Sequence, residues 1–81
     1  MTGTLIYDSA ADRLAIVSGS ETRHLHCGDV IEVMKLGIID TYSTSQWVPA
    51  RVEHGGAADD WYLVGLYKAG EIPKGLVART V

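Results

Sequence analysis

The sequence predicts an all-β protein, a small antiparallel barrel of about five to seven strands. Its 81 residues include nine glycines and only two prolines, which suits tight turns between short strands better than a flexible chain. No window of eleven or more residues has the 3.6-residue period of an amphipathic helix. The length allows a single domain over residues 1–81, with an N-terminal hairpin over 1–18 and a barrel meander over 22–81.

The first part of the chain has the pattern of a β-hairpin. Thr4–Tyr7 and Arg13–Val17 are rich in β-branched and aromatic residues. Between them lie Asp8, Ser9 and Asp12, whose side chains readily bond to their own backbone in turns.

The middle of the chain reads less clearly. "RHLHC" at 23–27 is typical of a short strand that ends at the Gly-Asp pair 28–29, and "VIEVMKL" at 30–36 of a second strand. The Ser/Thr-rich stretch "GIIDTYSTSQ" at 37–46 reads as an irregular loop with at most one short extended piece.

The stretch "QWVPARVEH" at 46–54 alternates between apolar and mixed positions, as a half-buried strand does. One side of this strand would carry Val48, Ala50 and Val52, and the other side Trp47, Pro49, Arg51 and Glu53. Because proline has no N–H to donate, the strand is expected to lie at an edge or to contain a bulge at Pro49.

The last third of the chain predicts two strands and a long turn. The loop "EHGGAADDW" separates 46–54 from "WYLVGLY" at 61–67, which reads as an apolar strand covered on both faces. The segment "KAGEIPKG" at 68–75 is a turn punctuated by glycine and proline, and "LVARTV" at 76–81 is the closing strand.

Charge and cysteine content narrow the classes of function. The net charge of −3 argues against a dedicated DNA-binding protein, although residues 1–60 carry four basic and nine acidic residues and 61–81 three basic and one acidic. The single Cys27 excludes an internal disulfide. Without a signal-peptide pattern or an apolar run of about 20 residues, the expected location is cytoplasmic.

Several motifs resemble catalytic or ligand-binding sites but lack essential parts. His24, His26 and Cys27 offer zinc-ligand chemistry without a second ligand pair, so we expect exposed histidines beside a buried thiol and no metal. The run "GLYKAG" at 65–70 is followed by Glu71 rather than the Lys of a phosphate-binding loop. No Gly-x-Ser-x-Gly elbow is present, and Asp59 beside Asp60 suits a solvated loop. We therefore expect neither enzymatic activity nor a cofactor.

The aromatic residues carry the functional interpretation. All six are Trp or Tyr, which pair an apolar body with a polar tip and suit interfaces. We expect Trp61 in the core and Trp47 partly exposed on the face shared with Arg51 and Glu53. The first hypothesis is a non-enzymatic interaction module that binds a protein partner or forms a homodimer through Trp47, Arg51, Tyr42 and Tyr67.

Two alternatives remain open at this point. The first is a small barrel that binds nucleic acid by stacking bases on aromatic rings, with backbone contacts from Arg51, Lys68, Lys74 and Arg79. The second is a small-molecule binder at a dimer interface.

Two resemblances extend this reading. The segments "LHCGDVIEV", "QWVPARVE" followed by "WYLVGLY", and "IPKGLVARTV" together resemble an SH3-like barrel over residues 25–81, without the Ala-Leu-Tyr-Asp-Tyr run of peptide-binding SH3 domains. The whole chain, and above all "WYLVGLYKAGEIPKGLVAR", is similar to an uncharacterised family of short Gram-positive bacterial proteins. That family is classified as a domain of unknown function and is associated with mobile elements. This resemblance implies a bacterial, mobile-element origin and supplies no catalytic residue.

Overall fold

A computed structural model of the protein describes residues 1–39, 42–55 and 60–81, with backbone alone for 37–39 and 42–44. Seven antiparallel strands form one sheet in the order β3-β2-β1-β7-β4-β5-β6. Their bounds are β1 Thr2–Asp8, β2 Arg13–Ser18, β3 Glu21–His24, β4 Val30–Ile39, β5 Tyr42–Gly55, β6 Asp60–Val64 and β7 Val77–Thr80. The predicted all-β class and the predicted number of strands are confirmed.

The N-terminal hairpin forms as its sequence predicts. β1 and β2 pair from Asp8↔Arg13 to Thr4↔Val17. The Asp8 carboxylate accepts hydrogen bonds from the backbone N–H groups of Ala10 and Ala11 at 3.1 and 3.4 Å, so the side chain holds the turn. The other edge of β1 pairs with β7, which joins this hairpin to the C-terminal part of the sheet.

The stretch predicted as a loop at 37–46 belongs instead to a long hairpin. β4 and β5 pair without interruption from Val30↔Arg51 to Ile39↔Tyr42, and residues 40 and 41 lie outside the described part. The serines and threonines of this stretch signalled a loop, but Ile38, Ile39 and Tyr42 beside them have high strand propensity. Cross-strand pairing therefore outweighed the composition.

The predicted strand at 61–67 is half strand and half turn. β6 ends at Val64, and Gly65 adopts a positive φ of 77°, which reverses the chain. The backbone of Tyr67 then pairs back to Leu63, with N–O distances of 3.0 Å in both directions. The connection 68–76 follows as expected and leads to the closing strand β7, which pairs with β1 and β4 rather than with β6.

The sheet curls so that one face of every strand except the short β3 contributes to a single core. The buried cluster is Leu5, Leu14, Ile16, Leu25, Ile31, Val33, Ala50, Val52, Trp61, Leu63, Leu76 and Ala78. Leu66, Tyr67 and Ile72 of the connection pack against this cluster from outside the strands. The arrangement is barrel-like, with β3 and β6 at the two ends of the strand order.

The position of Pro49 agrees with the rule that proline avoids the paired interior of a sheet. β5 lies between β4 and β6, but β6 pairs with it only from Arg51↔Val64 to Gly55↔Asp60. Pro49 pairs with Glu32 of β4 on one side and lies beyond the end of β6 on the other. The strand is therefore internal over one half of its length and an edge over the other half.

None of the described residues forms a helix long and apolar enough to cross a membrane.

Candidate interaction face

The outward side of β4, β5 and β7 presents a mixed aromatic, apolar and charged surface. The pairs Glu32↔Arg79, Glu32↔Pro49 and Met34↔Trp47 fix which side chains are neighbours across the three strands. Ala50 and Val52 of β5 point into the core, so Trp47, Pro49 and Arg51 point outward. We call this surface the Trp47 face.

Trp47 is held in place by its neighbours. The guanidinium carbon of Arg79 lies 4.0 Å from the centre of the Trp47 ring, a distance that gives a cation–π contact. The Arg79 Nε donates a hydrogen bond to Glu32 Oε1 at 3.0 Å, so the guanidinium is fixed from two directions. As predicted, Trp47 is partly exposed.

Exposed apolar side chains extend the Trp47 face. Val30 is 51% exposed, Leu36 76% and Val64 37%. Arg51 stands between Val30 and Val64 in the register of the three strands, and its Nε lies 3.1 Å from Glu53 Oε1. The face combines a rigid aromatic centre with apolar and arginine contacts around it, as protein interfaces do.

The four residues predicted as the binding site do not all lie together. Trp47 and Arg51 are on the same outward side of β5. Tyr67 lies in the turn after β6, and its side chain packs against the core cluster. The side chain of Tyr42 lies outside the described residues.

The four cations of the nucleic-acid alternative are divided between two places. Arg51 and Arg79 lie on the Trp47 face and are each paired with a glutamate. Lys68 and Lys74 are exposed in the connection between β6 and β7. The glutamate carboxylates therefore partly neutralise the positive charge that the two arginines would offer to a phosphate group.

The histidine and cysteine cluster separates into unrelated contacts. β3 ends at His24, whose Nε2 lies 2.8 Å from Asp8 Oδ2, and this hydrogen bond lowers the pKa of Asp8. The backbone N–H of His26 donates to Asp29 Oδ2 at 2.9 Å in the following turn. Cys27 belongs to the same turn and is exposed, so the expected burial of its thiol is wrong. Leu25 fills the core position instead.

No three His, Cys, Asp or Glu side chains within the described ranges are grouped closely enough to hold a metal ion. Of the predicted loop pair Asp59 and Asp60, Asp59 lies outside the described residues. The Asp60 carboxylate accepts a hydrogen bond from the backbone N–H of Trp61 at 2.7 Å.

A groove lies between the N-terminal hairpin and the C-terminal part of the chain. It has a volume of about 660 Å³ and is bounded by β1, the start of β2, the start of β6 and the connection at 70–75. Trp61 lines it and is buried to 7% exposure, in agreement with its predicted core position. The Trp61 ring contacts the His54 ring at a centroid distance of 4.8 Å, and its Nε1 has no hydrogen-bond partner among the described residues.

Sequence reasoning missed two parts of this surface. Local sequence patterns do not identify Glu32 as part of this surface, and they suggest Arg79 only as a contact to the backbone of a nucleic acid. The pairing of Glu32 with Arg79 depends on β7 lying beside β4. That neighbour relation is a crossover in the sheet order and leaves no trace in local periodicity. Val30 and Leu36 are apolar residues on the outward, exposed side of β4. The sequence identifies them as unusual only once it is known which residues of β4 point outward.

Fold and surface together define a small all-β domain in which Trp47, Arg79 and Glu32 contact one another on the outward side of the sheet. The family model described as a domain of unknown function (DUF5348) matches residues 3–80. The chain belongs to this family.

A solved structure supports the same placement. The chain is similar to the crystal structure of a protein from Ruminococcus gnavus, a Northeast Structural Genomics Consortium target. The identity is 36%, the TM-score is 0.69, and the match covers 99% of this chain and 100% of that one. The comparison with curated proteins found no match.

Proposed function

We propose that this protein is a non-enzymatic interaction module that binds a protein, either a different chain or a second copy of itself, through the Trp47 face. The single observation that carries this proposal is the contact of Trp47 with Arg79, itself held by Glu32. A partly exposed tryptophan that already contacts a neighbouring arginine loses less conformational entropy when a partner covers it than an unsupported side chain would.

The surroundings of Trp47 favour a protein over a nucleic acid. Val30, Leu36 and Val64 add exposed apolar area, which base stacking and phosphate contacts do not use. The two arginines on the face are paired with Glu32 and Glu53, and these carboxylates repel a phosphate backbone. The same groups suit the polar rim of a protein interface.

The experiment compares the wild type with Trp47→Ala. Each purified chain is immobilised, exposed to lysate of the native host, and the retained proteins are identified by mass spectrometry; self-association is measured separately by light scattering. We expect a retained partner, or a dimer, that Trp47→Ala loses while circular dichroism shows the fold intact. Tyr7→Ala is the matched control, since Tyr7 is also an exposed aromatic but lies on β1 away from the face. Equal retention by wild type and Trp47→Ala contradicts the proposal.

A further inference from the structure

The groove beside the N-terminal hairpin has the size and lining of a small-molecule site. Its volume of about 660 Å³ lies within the range of such sites, which is about 300–1,000 Å³. Leu5, Leu14 and Trp61 line it and are 3%, 4% and 7% exposed, so they form a buried apolar floor. The more exposed apolar side chains of the lining belong to Ile6, Tyr7, Ile72 and Pro73. The lining shares no residue with the Trp47 face.

Two polar side-chain groups in the lining of the groove have no partner. Lys74 is exposed, and its ammonium group has neither an ion pair nor a hydrogen bond within the described residues. The Nε1 of Trp61 is buried and has no hydrogen-bond partner there either. Both groups can only donate hydrogen bonds. The lining therefore supplies donors without acceptors, which favours a ligand that carries an acceptor.

The charges around the groove favour an anionic acceptor. Asp60 is the one acidic side chain of the described lining, and its Oδ1 already accepts the backbone N–H of Trp61 at 2.7 Å. The Tyr7 hydroxyl is also engaged, because it donates to Asp12 at 2.7 Å. Residues 61–81 carry three basic residues and one acidic residue. A carboxylate placed at Lys74 therefore gains a charge-assisted hydrogen bond from an ammonium group that has no other partner.

The β1 side of the groove offers too little free backbone to bind a peptide as an added strand. β1 pairs with β7 over residues 2–4, and the N–H of Leu5 then donates to the carbonyl of Leu76 at 2.8 Å. Only residues 6–8 of β1 lie beyond this bond. Because successive residues point their backbone groups to alternate sides, Tyr7 alone among them points to the same side as Leu5. One residue cannot support a ladder of hydrogen bonds, so a compact molecule fits the groove better than an extended chain.

We propose that this groove binds a small apolar carboxylic acid. The apolar part of the ligand packs on the floor formed by Leu5, Leu14 and Trp61, and its carboxylate faces the Lys74 ammonium group at the rim. Removal of apolar surface from water supplies most of the affinity, and Lys74 selects an anionic head group. This site is separate from the protein-binding role proposed above, and neither requires the other.

The test follows the backbone and indole N–H signals of the isotope-labelled protein by NMR while phenylbutanoate is added up to about 10 mM. The two indole signals belong to Trp47 and Trp61, and Trp47→Phe identifies which is which. We expect phenylbutanoate to shift the Trp61 indole signal and the amide signals of Gly70 and Gly75, which line the groove. The expected Kd is about 1 mM or tighter. The Trp47 indole signal is expected to stay in place.

Two changes isolate the contribution of the carboxylate. Phenylbutanamide keeps the apolar body of the probe without its charge, and Lys74→Met removes the cation from the protein. Each is expected to weaken binding about two- to fivefold, which corresponds to an exposed ion pair. Lys68→Met is the matched control and should leave the affinity unchanged, since Lys68 is exposed in the same connection and does not line the groove. The NMR spectra of both variants also establish that they are folded.

Four results overturn the inference. They are no shift of the Trp61 and glycine signals at about 10 mM phenylbutanoate, a shift of the Trp47 indole signal instead, equal affinities for the acid and the amide, and equal weakening by Lys68→Met and Lys74→Met. The Trp47 face is tested separately by the capture experiment. There, Lys74→Met is expected to retain the partner that Trp47→Ala loses, so either proposal can fail without the other.

Discussion

The central guanidinium carbon of Arg79 lies over the Trp47 ring, 4.0 Å from its centre, while the Arg79 Nε donates a hydrogen bond to Glu32. Three strands that are far apart in sequence therefore meet at one outward point. β7 supplies the cation, β4 the carboxylate and β5 the ring. This contact makes Trp47 a rigid feature of the surface instead of a loose side chain.

Arg79→Met tests the energy of that contact, since methionine keeps much of the side-chain length and removes the charge. We expect a loss of about 0.5–1 kcal/mol in the free energy of unfolding by urea, and stronger acrylamide quenching of tryptophan fluorescence. A double-mutant cycle with Trp47→Leu gives a coupling energy of the same size. Arg51→Met is the control, because Arg51 pairs with Glu53 and contacts no aromatic ring within the described part of the chain. A coupling near zero refutes the cation–π role.

Substitutions of the two tryptophans are expected to have different effects, on stability for Trp61 and on binding for Trp47. Trp61 is 7% exposed and sits in the core cluster, so Trp61→Ala is expected to cost about 3–5 kcal/mol of unfolding free energy. Trp47→Ala removes a partly exposed ring and is expected to cost only about 1 kcal/mol, while the proposed protein binding predicts that it loses the partner or the self-association. Urea melts and light scattering on the same preparations measure both effects. Similar losses of stability for the two variants contradict the division of roles.

Local patterns predicted the parts of the fold whose environment is decided by near neighbours. The alternation at 46–54 placed Ala50 and Val52 inside and Trp47 outside, because a strand exposes successive side chains to opposite faces. The N-terminal hairpin was predictable for the same reason. Partners across the sheet were not, since β7 lies between β1 and β4 and no sequence period records that order.

The errors have identifiable physical causes. The described residues of the Ser/Thr-rich stretch, 37–39 and 42–46, form strand because a strand at the edge of a sheet pairs with only one neighbour, so polar side chains are tolerated there. Cys27 lies in a turn rather than a strand, and a turn after His24 exposes its side chains to solvent. In both cases the outcome depends on which segments pair with a neighbouring strand, and amino-acid composition alone does not give that information.

Gly3 is required because β1 and β2 approach closely at this position. A Cβ atom on Gly3 would overlap the backbone carbonyl of Val17, which cannot move without disturbing β2. Gly3→Ala is therefore expected to destabilise the fold by about 1–3 kcal/mol, measured by urea or thermal unfolding. Thr4→Ala, an exposed substitution one residue further along β1, serves as the control and should cost far less. A neutral Gly3→Ala would show that the strands are further apart than described.

The hydrogen bond between Asp8 and His24 predicts a specific acid response. It lowers the pKa of Asp8 in the folded protein, with further lowering from the Ala11 and Ala10 N–H groups. Stability from this group is fully present above the unfolded carboxyl pKa of about 4 and is lost as the pH falls through the lower folded value.

We therefore expect the urea midpoint of unfolding to decrease less between pH 5 and about pH 2.5 in Asp8→Asn than in the wild type. The asparagine side-chain oxygen still accepts the hydrogen bonds of the turn. Glu21→Gln on β3 is the control and should leave the slope unchanged. An identical slope for wild type and Asp8→Asn would contradict the assignment.

Nucleic-acid binding is the alternative that a salt titration separates most directly. With Arg51 and Arg79 paired to glutamates and a net charge of −3, we expect a Kd weaker than about 100 μM for short single-stranded oligonucleotides at 50 mM salt, measured by fluorescence anisotropy. Lys68→Ala with Lys74→Ala should change nothing under these conditions. The opposite result is binding that is tight at 50 mM salt, weakens steeply by 200 mM and is lost in this double variant. That result would show that the connection between β6 and β7 contacts phosphate groups. The Trp47 face would then stack against bases rather than bind a protein.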